Sequence, residues 1–179
     1  MILDYIDTWK DIMQKPSDFY REMPETGGYF DPVIFSTVSA AIGTFIHLIF
    51  TPETDEVRKF ISTVPIIAVM IPFIGIIALF VDATILYAVY KTLGGKGTYE
   101  GTAKFVLYSS AASSLIWIPF VGWIFGIYQV YLYIVGGKFV HEISMERSLA
   151  AVALSILLLL LFGVLIALSG LAPGQLTAL

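Results

Sequence analysis

LAAVALSILLLLLFGVLIALSGL, residues 149–171, carries no charged side chain. As a helix rising 1.5 Å per residue it is about 35 Å long. The hydrocarbon core of a bilayer asks for roughly twenty such residues. This stretch therefore sets the solvent of the fold, which is lipid. Upstream of it, residues 137–147 read as a polar loop. Before that loop come two further apolar runs, Thr102 to Ile118 and Phe120 to Gly136, each reaching about 25 Å. They are joined by Ile118-Pro119-Phe120-Val121-Gly122 without a charge. That junction reads as a tight Pro-Gly helical hairpin, with a re-entrant pair as the alternative, since irregular backbone is tolerated at membrane depth only inside protein.

Farther out, Lys91 to Gly101 is a Gly-rich polar loop that reads as a flexible turn. Phe60 to Tyr90 is an apolar run too long for a perpendicular crossing. It holds Pro65 and Pro72, which predict tilt and a kink near Pro72. Thr51 to Lys59 is a short polar loop, and Val33 to Phe50, opened by Asp31-Pro32, is a first span of about 27 Å. Ahead of it, Ile2, Ile6, Trp9 and Met13 recur at helical spacing with Asp4, Asp7, Lys10 and Asp11 between them. The pattern predicts an amphipathic helix ended by Pro16, lying either in the membrane interface or on the protein's own cytoplasmic surface. The expectation is an all-α polytopic membrane protein. Residues 1–30 form an N-terminal helical segment, 31–171 a five-helix transmembrane domain, and 172–179 a short tail.

The composition agrees. Of 179 residues, 58% are hydrophobic and only 13% charged, about half the charged share of a soluble domain. The ten Lys and Arg are scattered and build no basic block, so no nucleic-acid partner is expected. Cysteine is absent, which excludes disulfides and thiolate metal sites. MILDYIDTWKDIMQKPSDFYREMPE has acids where a cleavable signal carries basic residues. With five spans, Lys10, Lys15, Arg21, Lys91, Lys96, Lys104, Lys138 and Arg147 fall on one side and only Arg58 and Lys59 on the other. The excess marks the cytoplasm, so the N-terminus is expected inside and the C-terminus outside.

Asp82 is the most informative polar residue, because a lone carboxylate in hydrocarbon costs several kcal/mol. It is expected to face the bundle interior, roughly 12 Å from the cytoplasmic end of its span. Ser39, Ser109, Ser110, Tyr128, Gln129 and Ser155 fall at similar depth. Together they suggest a polar layer, either interhelical hydrogen bonding or an ion, proton or headgroup site. His47, near the outer end of the first span, reads as structural. His141 and Glu142 have no second His at zinc spacing and read as solvated or packed under the N-terminal helix. Ser36, Ala40, Gly43 and His47 share one face, and Gly122 and Gly126 form a GxxxG. Such small residues allow close helix approach within the chain. GGKG at 94–97 lacks the spacing of a phosphate loop. No nucleophile-and-base set, metal site or cofactor site is visible, and no enzymatic activity is expected.

Trp9, Pro16 and Phe19 make a W-x6-P-x2-F opening. The Gly-rich loop, the Pro119 and Gly122 hairpin, Tyr128, Tyr131, Gly136, His141, Ser144 and Ala150 follow in order. The ordered set resembles the Yip (Ypt/Rab-interacting protein) domain family of small five-span membrane proteins, over nearly the whole chain. The resemblance implies a cytosolic N-terminus and a five-helix bundle. In eukaryotic members it implies membrane trafficking through prenylated Rab-type GTPases. The long hydrophilic N-terminal region and DLYGP-like motif of those members are not seen here, so the chain looks more like the compact prokaryotic-type version.

The function expected on these grounds is a membrane-organising or protein-interaction scaffold. Its partners are the lipid bilayer, proteins at a cytoplasmic face that includes Trp9, Phe19, Lys96, His141 and Glu142, and a second copy in a homo-oligomer. A small transporter or channel with Asp82 on its pathway is the alternative. A lipid-binding protein working between the third and fourth spans is a third.

Overall fold

The structure, a computed structural model, describes residues 2–50 and 64–169. Among these residues every regular element is helical: α1 (Ile2–Gln14), α2 (Pro16–Glu22), α3 (Phe30–Phe50), α4 (Val64–Thr92), α5 (Tyr99–Tyr108), α6 (Ser110–Ser113), α7 (Gly122–Val140) and α8 (Met145–Leu168). The 51–59 loop with Arg58 and Lys59, and the 172–179 tail, lie outside the described residues.

Helix ends follow local chemistry. Pro16 opens α2, where its missing N–H costs nothing. Thr98 caps α5 by accepting the Gly101 amide at 3.0 Å. Ser144 caps α8 by accepting the Arg147 amide at 3.3 Å. α7 runs on to Val140 and α8 starts at Met145, so the expected 137–147 loop shrinks to four residues.

Among the described residues, four helical segments are long and apolar enough to cross a membrane: Phe30–His47, Phe73–Thr92, Gly122–Val140 and Met145–Leu165. The third apolar run, expected as one helix from Thr102 to Ile118, is instead α5 and the one-turn α6, followed by turns through residue 121. The serines explain the break. Ser109 Oγ donates to the Phe105 carbonyl, Ser113 Oγ to that of Ser110 and Ser114 Oγ to that of Ala111, each at 2.7 Å. Such back-bonding competes with the helical ladder and bends it. Residues 109–112 and 114 are buried, so protein surrounds the break itself, whereas Trp117, Phe120 and Val121 in the turns beyond it are exposed.

Burial divides the molecule in two. Around α5 lies a close-packed core of Ile12, Tyr20, Leu86, Tyr90, Phe105, Leu132, Val135 and Val152. It takes the N-terminal part of α3, the C-terminal parts of α4 and α7, and the start of α8. The opposite ends show exposed apolar stripes instead, such as Phe73, Ile74, Ile77 and Val81 on α4 and Leu157 to Leu161 on α8. That is the pattern of side chains facing acyl chains rather than water.

Candidate functional site

Asp82, on α4, lies near the Tyr133 hydroxyl of α7. Gln129, one turn before Tyr133, donates to the same hydroxyl at 3.4 Å. The expected layer therefore splits. Asp82 and Gln129 converge on Tyr133, a residue the sequence reading passed over. The 129 and 133 positions share one helix face, which was the available signal. The remaining members go elsewhere. Ser155 bonds back to the Ala151 carbonyl at 2.9 Å. Ser110 Oγ is buried without a partner. Ser39, Ser109 and Tyr128 are all engaged by the N-terminal segment.

That engagement is the main feature of the polar half. Tyr5 Oη lies 3.0 Å from Ser39 Oγ, and its ring packs on Phe35 at 4.8 Å. Trp9 Nε1 donates to the Ala111 carbonyl at 3.0 Å. Tyr128 Oη donates to the Met13 carbonyl at 2.8 Å. Tyr20, buried, lies 2.8 Å from Ser109 Oγ, and burial pushes its phenol far above the usual range, so it stays protonated. Phe19 packs edge-on against Tyr108 at 5.2 Å. Trp9 and Phe19, expected on an interaction surface, are thus half-buried contacts to the bundle. Only Lys96 and Glu142 of that set are well exposed, paired at 3.1 Å.

Lys104 fastens the end of the segment. Its ammonium is buried and donates to the Pro24 and Thr26 carbonyls at 3.0 and 2.7 Å. It also pairs with Glu100 at 3.0 Å. Glu100 accepts the Gly28 amide at 2.6 Å. The Gly28 amide first, then Lys104, holds its carboxyl below the usual range. A buried cation is tolerable only when each of its donors is met in this way.

The Gly-rich loop is not a flexible turn. The Lys96 amide donates to the His141 carbonyl at 3.0 Å. A Cβ on Gly95 would come within 2.7 Å of His141 Nδ1 and 2.9 Å of the Tyr90 carbonyl, so glycine is what lets the loop backbone lie on the imidazole. His141 is fully buried, contrary to its expected place on the surface. Its ring stacks on Tyr90 at 4.4 Å, and Nε2 is 2.9 Å from Thr102 Oγ1. Desolvation, then the nearby Lys91 charge, lowers its pKa to about 4. It is a neutral core group, with Nδ1 left without a partner.

At the other end, the 114–121 turn is held by its own amides: Ile118 donates to Leu115, Val121 to Pro119 and Gly122 to Ile118. Phe120 sits at φ 66° and its carbonyl takes the Trp123 indole N–H at 2.9 Å. A Cβ on Gly122 would collide with the Ile116 carbonyl. A Cβ on Gly43 would touch Ser114 and Trp117 at 3.4 Å, and the His47 ring packs tilted against Trp117 at 4.2 Å. Gly126 differs from the expectation: among the described residues nothing lies within 4 Å of where its Cβ would be, so the GxxxG pair makes no close contact with them at that position.

A family model described as the Yip1 domain matches residues 10–168. No curated protein and no solved structure matches the chain.

Proposed function

The chain belongs to the Yip1 domain family, and from that premise we propose a non-enzymatic membrane scaffold that presents one preformed protein-binding face to the cytoplasm. The observation that carries this reading is the clasp between three separate segments. The N-terminal segment is pinned by Lys104 to the start of α5. The 93–98 loop is pinned to 141–142 through the Lys96 amide and the Lys96–Glu142 pair. Surfaces assembled this way bind without first being ordered, which saves the entropy of fixing loops. Arg21, Asp18, Lys10 and Asp7 add exposed charges of both signs to the same end.

In this proposal the chain crosses the bilayer five times, with its N-terminus inside and its C-terminus outside. The contact of Trp117 with His47 supports the extra crossing. His47 is seventeen residues beyond Phe30, about 25 Å along α3, so the turn reaches the level of the far end of that helix. The excess of Lys and Arg at the clasped end supports the orientation.

A photo-crosslinker placed at residue 96 in native membranes tests the binding face. A discrete protein adduct, lost when Lys10 and Arg21 are both reversed to Glu, is the expected result. Adducts to lipid alone at residues 10, 96 and 142, matching those of a control at Phe162, reject the scaffold reading.

A further inference from the structure

On α3, Val38, Ile42, Phe45 and Ile49 are all exposed, and their spacing puts them on one face. Toward Phe30 that helix is covered instead: Phe35, Ser36 and Ser39 are buried. α1 lies across this boundary, with Tyr5 over Phe35 and Ser39. Where α1, α3 and the 114–121 turn meet, there is a cavity of about 180 Å³ lined by Tyr5, Ile6, Trp9, Ile42, Ser114 and Leu115.

Every side-chain polar atom of that lining already has a partner. Tyr5 Oη is with Ser39 Oγ, Trp9 Nε1 donates to the Ala111 carbonyl, and Ser114 Oγ donates to the same carbonyl. A resident water needs two to four polar partners, and this lining offers it little beyond hydroxyl lone pairs, since Trp9 and Ser114 have each committed their one donor. Ile6 and Ile42 on the lining are 43% and 37% exposed, and Ile42 belongs to the apolar stripe that runs on to Ile49. The cavity is therefore dry in character and continuous with the lipid-facing surface.

We propose that this slot, between α1 and the apolar stripe of α3, holds an acyl chain of a bilayer lipid. Its volume equals about six water-sized volumes, so it takes the end of one chain rather than a whole lipid. The outward edge of α1 carries exposed Asp4, Asp7 and Asp11 with Lys10 among them. That balance disfavours an anionic headgroup and favours a zwitterionic one.

Trp9 lines the slot, which gives a direct probe. The full chain carrying Trp117→Phe and Trp123→Phe, reconstituted in phosphatidylcholine vesicles, emits from Trp9 alone. Phosphatidylcholine brominated along its acyl chains is expected to quench that emission about twofold or more, while aqueous iodide leaves it nearly unchanged. Ile42→Phe narrows the slot from an exposed position and is expected to remove most of the quenching. Strong iodide quenching would mean a wet cleft, and no quenching by either agent a closed one. Bromine quenching that Ile42→Phe leaves intact would mean contact from bulk lipid. Each of these three results overturns the proposal, and none of them touches the cytoplasmic-face reading.

Discussion

The Tyr20 hydroxyl and the Ser109 hydroxyl, 89 positions apart in sequence, lie 2.8 Å from each other in a buried site. The contact joins the N-terminal segment to the break between α5 and α6. It makes that segment part of the core rather than an appendage.

Tyr20→Phe keeps the ring contacts to Phe19 and Phe105 and removes the hydroxyl. Ser109 still donates to the Phe105 carbonyl, so the expected loss is about 1 kcal/mol. Tyr20→Ala empties the site and is expected to cost about 3–5 kcal/mol. Thermal unfolding in detergent, comparing the two variants, separates hydrogen bond from packing. Equal losses would contradict this account.

Lys104→Met preserves the length of the side chain but leaves the Pro24 and Thr26 carbonyls without their donor. Hydrogen bonds to a charged group are worth about 1.5–3 kcal/mol each. The 24–28 segment is expected to loosen, so limited proteolysis should cut there many times faster than in the parent chain. Unchanged cleavage would show that α1 and α2 hold the segment unaided.

His141 makes stability depend on pH. In the unfolded chain its imidazole titrates near 6.5, whereas in the folded chain burial holds it neutral down to about 4. Between those values the unfolded state binds more protons, so stability falls as pH is lowered from about 7 to about 4 and levels off below. Tm is expected to drop by several degrees over that window. His141→Asn should flatten the slope at the cost of lower stability at neutral pH. A slope that survives the substitution assigns it to other groups.

Two glycine-to-alanine changes should move stability in opposite directions. Gly95→Ala drives a Cβ into His141 and the Tyr90 carbonyl, an overpacking expected to cost about 1–3 kcal/mol. Gly126→Ala lies inside α7 with open space around it, where alanine gains roughly 0.5–1 kcal/mol from backbone entropy. Parallel melting curves of the two variants check this. A destabilising Gly126→Ala would point to a close partner at that face.

Much of the architecture was legible because lipid imposes it locally. Residues 149–168 have to be helical whatever surrounds them, since every backbone polar group in hydrocarbon needs an internal partner. The capping residues Thr98 and Ser144 act on amides three positions away, within reach of a linear reading. The third apolar run defeated that reading. Its length and hydropathy resemble one continuous helix, but Ser109, Ser113 and Ser114 turn the backbone, and packing by α1, α2 and α7 covers the break.

The sequence by itself determined the solvent, the helix class and the sites where chain direction changes, because each depends on neighbours in the chain. Only the tertiary structure decided which polar groups meet: Tyr20 with Ser109, Tyr5 with Ser39, Lys104 with the carbonyls of Pro24 and Thr26, His141 under Gly95. These pairs are separated by dozens of residues. A hydrogen bond acts over about 3 Å, so no periodicity in the chain records which partner will arrive.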